Sequence, residues 1–401
     1  MFNKPTMDSG IKIAFVGNFY GHGNVYDQWG TSFCILLSQL DYVDKIDVIC
    51  QISNKNLRAA FPDKINIEET FDISRSLSIF NIIKKIRYSN YDLVIFNYGP
   101  TVFGNSNLMN LFGLFMPIRS SRLCKTVIIS QGSSITNDAS NLGYNSLKDR
   151  FKYMVLVILE KHLYRKVKSF AQLPVYEKML KQKVKGNKVL GVLKSDYIDS
   201  ILTIYLNGKI LEKSMESIVN MDSPVILLHG FWGPQKNIEF ALETLKSLKY
   251  NNYKFSLIIS GGINVHFPGY ESYFNNVLNK YKDISVNYLG YVHEEDLMDL
   301  FLKSDLVLMP YNVPGGQSGV LEMSSFFGNS VICLDFPEFR EEVKEDDSII
   351  LVDKNNFYNE IKKYLDNYEP LKRYIEIRKK VYSAQENIDK FIRKALTVEE
   401  N

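Results

Sequence analysis

Short continuous apolar runs alternate with helix-length segments along this chain, and the alternation occurs twice. In the first half the runs are IKIAFV (11–16), IDVIC (46–50), DLVIFN (92–97), KTVIIS (125–130) and KVLGVL (188–193). In the second they are PVILLHG (224–230), FSLIIS (255–260), ISVNYLG (284–290), DLVLMP (305–310), SVICLD (330–335) and SIILV (348–352). Runs with no polar alternation suit strands buried on both faces, as in a parallel sheet. Segments 237–249, 270–281, 294–303 and 318–327 carry apolar residues at three- and four-residue steps, the pattern of helices packed on a sheet. The spacing predicts an α/β chain of two Rossmann-like, doubly wound domains. The polar stretch 211–224, ending at Pro224, marks the join. The expected domains are 1–215 and 222–370, with 371–401 a charged terminal helix free to cross back to the first domain.

At 401 residues the chain has room for two or three full cores, and 45% hydrophobic with 23% charged residues excludes disorder and fibrous repeats. The net charge of +3 conceals an asymmetry. Residues 1–215 hold 28 Lys and Arg against 17 Asp and Glu, and residues 216–401 hold 20 against 28, giving +11 and −8. Residues 148–188 alone hold 12 basic and 3 acidic residues, a local +9 that calls for an anionic neighbour. A nucleic acid is not expected, because no stacking module or groove-reading motif accompanies the charge. No apolar run is long enough to span a bilayer, and the N-terminus lacks a signal-peptide pattern, so a cytoplasmic location is expected. Cys34, Cys50, Cys124 and Cys333 lack metal-like spacing and read as reduced core thiols.

The first strand is followed by GNFYGHGNVYDQWGTSF, which is not the G-x-G-x-x-G of a dinucleotide turn. Its Gly17 and the backbone beside it could approach a phosphate, with Asn18, His22 and Asp27 facing a sugar; an ordinary glycine-rich surface loop is the alternative. In the second half Lys236 opens a helix on the carboxyl side of a strand, the edge where α/β domains bind ligands. Further on, a glycine-rich loop over 314–319 leads into the helix containing Glu322. There Gln317 and the backbone amides of Ser318, Gly319 and Val320 could meet an anion, and Glu322 could receive two ribose hydroxyls. Singly, Lys236 could be a solvated lysine and Glu322 a favourable first-turn acid.

Taken in order, GFWGPQK (230–236), FSLIISGG, YLGYVHEEDLMDLFLKSDLVLMPY and SGVLEMSSFFGNSVICLD resemble the nucleotide-binding half of family-4 glycosyltransferases of the GT-B fold. The resemblance covers about 224–365, with YSAQENIDKFI (382–392) similar to the family's closing helix. It implies two domains facing each other across a cleft, and transfer of a sugar from a nucleotide-sugar donor to a glycan or lipid-linked acceptor with retention of configuration. Cell-surface polysaccharide or glycoconjugate synthesis would be the setting. Lys236 and Glu322 become the expected catalytic residues, with Gly17, Asn18, His22, Gln317, Ser318, Gly319 and Val320 binding substrate. No cofactor and no obligatory metal are implied, since Lys236 and the amides near Ser318 and Gly319 could stabilise the leaving diphosphate.

The chain departs from the family at three places. Pro314 stands where a sugar-gripping Glu is usual, Phe231 where an Arg is usual and Gln131 where many members have a His. These departures favour an alternative, a non-catalytic relative that binds a nucleotide sugar or glycan as a partner subunit. The cations around the apolar MVLVIL (154–159) add a further expectation, peripheral contact with an anionic membrane surface on its inner face. The competing expectation is that MVLVIL is the core face of an ordinary helix.

Overall fold

The computed structural model describes residues 10–19, 27–52, 61–72, 74–99, 102, 103, 107–136, 147–193, 197–206, 216–219, 224–264, 267, 269–313, 318–342, 346–368, 372–375 and 377–397. The chain divides into two compact units, Met1–Leu202 with Tyr382–Asn401, and Thr203–Val381. The expected join at 211–224 lies largely outside the described residues.

The first unit begins with β1 (Ile11–Val16), α1 (Asp27–Ser38), β2 (Val43–Gln51), β3 (Ile65–Phe71), α2 (Phe80–Tyr88) and β4 (Leu93–Tyr98). It continues through α3 (Asn107–Ser120), β5 (Thr126–Ser130), α4 (Leu147–Lys166), β6 (Lys168–Ala171), α5 (Pro174–Lys183), β7 (Val189–Val192) and α6 (Ile198–Leu206), whose last residues fall in the second unit. The seven strands form a parallel sheet in the order β3-β2-β1-β4-β5-β6-β7. Every residue of β4 is buried, as expected of a strand covered on both faces, and Ile13, Ala14, Phe15 and Val16 of β1 are buried beside it.

The second unit holds β8 (Glu216–Val219), β9 (Val225–His229), α7 (Ile238–Tyr250), β10 (Ser256–Ser260), α8 (Tyr270–Lys280), β11 (Val286–Tyr288), α9 (Glu294–Lys303) and β12 (Leu306–Met309). It goes on with α10 (Gly319–Phe326), β13 (Ser330–Leu334), α11 (Pro337–Glu342), β14 (Ile349–Val352), α12 (Phe357–Asp366) and β15 (Lys372–Ile375). Its main sheet is parallel, in the order β11-β10-β9-β12-β13-β14, and β8 and β15 pair separately as an antiparallel ribbon. Alternation of strand and amphipathic helix explains the architecture. In α7, Ile238, Ala241, Leu242, Leu245 and Leu248 are buried at three- and four-residue spacing. The fold is therefore α/β, with two Rossmann-like doubly wound sheets.

The last helix, α13 (Ile377–Thr397), starts in the second unit, and from Tyr382 it belongs to the first. There Phe391 meets the rings of Phe33 and Phe170 with centroids 5.9 and 4.7 Å apart. Lys394 donates to the Leu190 carbonyl, and Lys125 donates to the carbonyl of Leu396.

Strand order fixes where ligands can bind. Each sheet reverses direction of winding at one point, between β1 and β4 in the first and between β9 and β12 in the second. Chains leaving two such strands diverge to opposite faces and open a crevice at the carboxyl edge. The segments after β1, β4, β9 and β12 are thus where chemistry is to be sought.

Candidate functional site

In the second unit β9 ends on His229 and runs through Gly230, Phe231, Trp232 and Gly233 into a tight turn, Pro234–Lys236. Proline presets the backbone angle of that turn, and the amide of Lys236 closes it on the Gly233 carbonyl at 3.0 Å. A bond from the Asn312 amide to the Gln235 carbonyl, 2.8 Å, ties the turn to the segment after β12. The two chains flanking the switch point therefore hold each other.

Lys236 is directed inward by this turn. Its Nζ lies 3.6 Å from the centre of the Tyr311 ring, and a Cβ on Gly230 would stand 3.3 Å from the same nitrogen. Lysine over a tyrosine face gains cation–π attraction, yet loses much of its hydration. Burial pulls its pKa down from 10.5 to about 7. His229, one strand end away, is held by burial and by the nearby Lys236 at about 4, so its ring is neutral at pH 7; Nδ1 pairs with the Ser260 hydroxyl at 2.8 Å. The hydroxyl of Tyr311 is buried close to the Ser318 side chain but makes no hydrogen bond of normal geometry among the described residues, where Oε1 of Gln235 is also buried without a partner. Buried polar atoms without partners cost about 1–3 kcal/mol each, a cost a polar ligand would relieve.

On the other side of the switch point, Ser318 caps α10, its hydroxyl accepting from the Leu321 amide at 3.3 Å. Gly319 and Val320 open the helix, where no intrahelical carbonyl can reach their amides. Glu322 lies in the first turn and is 8% exposed. The amide of Ser318 already has an anionic partner, the Glu342 carboxylate at the end of α11, at 3.1 and 3.4 Å. An incoming phosphate at that amide would have to replace it. Gln317 and Pro314 lie outside the described residues. Phe231 packs near the Tyr291 ring at 6.2 Å, so an aromatic pair stands at the position where the family resemblance calls for a cation.

In the first unit, Gly17 follows β1, and a Cβ there would come within 2.9 Å of the Asn97 Cβ on β4. Asn18 is buried, and among the described residues neither atom of its amide has a hydrogen-bond partner. The Asn97 Nδ2 is likewise unpartnered, whereas its Oδ1 accepts from Gln131 at 2.7 Å, and Gln131 in turn accepts from Gln172. The carboxyl edge of this sheet thus carries a row of neutral carboxamides from β1, β4, β5 and the end of β6. His22 lies outside the described residues.

Beneath this edge, on the inner face of α4, sits Glu160, fully buried. Its carboxyl group accepts from Tyr98 at 2.9 Å and Ser133 at 2.8 Å, and the amides of Ser134 and Ile135 also bear on it. Burial outweighs these bonds and raises its pKa from 4.5 to about 7. A folded-state pKa above the unfolded one contributes stability that is complete below pH 4.5 and is lost as pH rises through 7. Glu160 alone should therefore remove up to about 3 kcal/mol of unfolding free energy between those limits. Urea titrations at a series of pH values will show Glu160→Gln flattening this slope; parallel slopes for the two proteins would refute the assignment.

The sequence-predicted Lys236, Ser318, Gly319, Val320 and Glu322 all fall at or beside the switch point of the second sheet, and Gly17 and Asn18 at that of the first. His229, Tyr311, Glu342 and Asn97 were not singled out from the sequence. The one available signal is that His229 and Tyr311 end or closely follow apolar strands, a position at the ligand edge of any parallel sheet.

Residues 211–381 match the model of the family described as glycosyl transferases group 1. No curated protein matches the chain in sequence. Among solved structures, HepE from Anabaena in complex with UDP and glucose aligns at 15% identity with a TM-score of 0.62, covering 97% of this chain and 100% of its own. Sucrose-phosphate synthase from Thermosynechococcus elongatus gives 15% identity and 0.62, covering 96% of each chain. WaaG, a glycosyltransferase involved in lipopolysaccharide biosynthesis, gives 13% and 0.57, covering 94% of this chain and 95% of its own. At such identities the likeness shows the GT-B fold.

Proposed function

We propose that the chain is a retaining glycosyltransferase, which takes a hexose-type sugar from a nucleotide-sugar donor in the second unit and passes it to a glycan or lipid-linked acceptor served by the first. Cell-surface polysaccharide or glycoconjugate synthesis is the setting this reading favours. The observation that carries it is Lys236, held inward at the switch point over Tyr311 beside Gly230, with the start of α10 supplied from the neighbouring strand. The family match over 211–381 and the neighbours solved with UDP, with or without its sugar, support a nucleotide-sugar donor.

In this reading the bond from the anomeric carbon to the donor's diphosphate oxygen breaks, and negative charge builds on that diphosphate. Lys236, as a cation, and the amides at the start of α10 meet the charge in a site already arranged for it, which lowers the barrier without reorganisation. Glu322 accepts hydroxyls of the ribose and fixes the nucleotide. The acceptor hydroxyl adds on the face the diphosphate leaves, and its proton passes to the departing phosphate oxygen. No protein base is required for that transfer, and none of the carboxamides Asn18, Asn97 and Gln131 is one; they suit an uncharged, hydroxyl-rich substrate. The test is release of free nucleotide from a panel of UDP-, GDP- and dTDP-sugars. The Glu342 carboxylate on the Ser318 amide favours a second reading, a relative that binds donor without transfer. Nucleotide binding with no turnover across the panel would select it.

The same reading implies a pH dependence. With its pKa near 7, free Lys236 is largely neutral at pH 8, and a bound diphosphate demands the cation. Binding UDP should take up a proton above pH 7, and affinity should fall with rising pH by up to about tenfold per unit. Calorimetry in two buffers of different ionisation enthalpy measures the uptake directly. Lys236→Met should abolish it, and a wild-type affinity that is flat between pH 7 and 9 would contradict the proposed contact.

A further inference from the structure

Helix α4 buries one side only. Glu160, Leu163 and Tyr164 are buried, and Leu156, Val157 and Leu159 pack partly against the core of the first unit. Five large apolar residues instead face outward: Leu147 at 88% exposure, Phe151 at 62%, Met154 at 49%, Val155 at 37% and Ile158 at 57%. At about 100° per residue their steps of four, three, one and three place them in one stripe, running about 16 Å along the helix axis. MVLVIL is therefore divided between core and surface, which neither sequence expectation foresaw.

The charges around the stripe are ordered as well. By the same helical arithmetic Arg150 and Lys161 border it on one side and Lys148 and Lys152 on the other. Past Ile158 the same face continues as His162 and Arg165, all but Lys161 of these being exposed. One acid, Asp149, stands in the first turn and pairs with Lys152 at 3.1 Å. Helix α3, which packs against α4, exposes Leu108 and Phe115 as well.

We infer that this stripe is an interfacial docking face for the surface of an anionic lipid bilayer. An apolar strip flanked by cations, on a helix with no run able to cross a membrane, is the pattern of a helix that lies in the headgroup region with its apolar side toward the acyl chains. The charge selects lipid over a second copy of the chain. Two such faces brought together would oppose one row of cations to another, whereas phosphate headgroups complement both rows. Only one consequence rests on the proposed function: a lipid-linked acceptor would be met at the surface on which the helix lies.

Vesicle flotation of the full chain tests the surface, with UDP binding measured on the same samples. The protein should float with phosphatidylcholine vesicles containing phosphatidylglycerol and not with phosphatidylcholine alone, and high salt should weaken the association. Lys148→Ala, Arg150→Ala and Arg165→Ala together should lower partitioning on the order of 100-fold. Phe151→Trp should show a blue-shifted emission when anionic vesicles are added, because the indole enters the headgroup layer. Failure to float with anionic vesicles at low salt, an unmoved Phe151→Trp spectrum, or a lipid-free dimer that Phe151→Ser dissociates would each overturn the inference. UDP binding should be unchanged in every variant, since none alters the second unit. Vesicle binding without UDP binding would leave the surface standing and remove the proposed function.

Discussion

Lys236→Ala will reduce sugar transfer by about 100- to 1000-fold, the usual consequence of deleting one preorganised electrostatic contact from a site where charge develops. The expectation comes from how its ammonium is held. The nitrogen stands over Tyr311, and the Pro234–Lys236 turn that presents it is fastened to the segment after β12, so little freedom remains to be lost when the donor arrives. Truncation removes a poorly hydrated ammonium and no core packing, so the thermal midpoint should hold or rise. Glu322→Ala should fall in the same range by a different route. It is buried in the first turn of α10 and is assigned to the nucleotide, so loss should appear first as a raised KM, whereas Lys236→Ala should act mainly on kcat. Steady-state kinetics with circular dichroism on each variant decides the matter. Full activity in a folded Lys236→Ala protein would remove the site assignment.

Gly261→Ala will damage the second unit more than any surface change can. A Cβ at Gly261 would stand 1.9 Å from the Gly230 carbonyl oxygen and 2.7 Å from its carbon, and φ at this residue is +109°. The obstacle is backbone, which has no rotamer to yield, in a conformation that L side chains rarely adopt. Clash and strain together should cost about 3 kcal/mol or more, lowering the unit's melting temperature by roughly 6–12 °C. Relief would require the ends of β9 and β10 to part, and this moves Gly230 away from Lys236, so nucleotide affinity should fall with stability. Gly269→Ala is the control, because a Cβ there meets nothing within 4 Å. Equal melting temperatures for the two variants would show that the close approach of the two strand ends is not a constraint.

The parallel strands were legible because burial on both faces leaves an unbroken apolar run, and all eleven runs quoted from the sequence coincide with strands of the two main sheets. β3 was not, since INIEETF alternates polar and apolar residues and lies at the sheet edge, where one face need not be apolar. β6 was missed because four residues, KSFA, carry too little pattern to register. The β8–β15 ribbon joins segments more than 150 residues apart, a pairing that no local period announces. The site divides in the same way. Lys236, Ser318 and Glu322 could be found because each lies close to a strand end and a helix start in sequence. Tyr311 under Lys236, Glu342 on the Ser318 amide, and the Asn97–Gln131–Gln172 row are products of strand order, which brings together residues that composition and period leave unrelated.

The return of α13 to the first unit has a consequence for how the protein is made. Ala384, Ile388, Phe391, Ile392 and Ala395 are buried, and Phe391 closes over Phe33 and Phe170, so the first unit's core is finished by residues that follow the whole second unit in synthesis. At about 5–20 residues per second the ribosome needs roughly 10–40 s to traverse residues 203–381. Throughout that interval the older half of the molecule presents an uncapped aromatic patch to the cell. The half that begins translation first is thus the one whose folding is completed last, and a nascent chain stalled before Phe391 will be a client for chaperones rather than a working first domain.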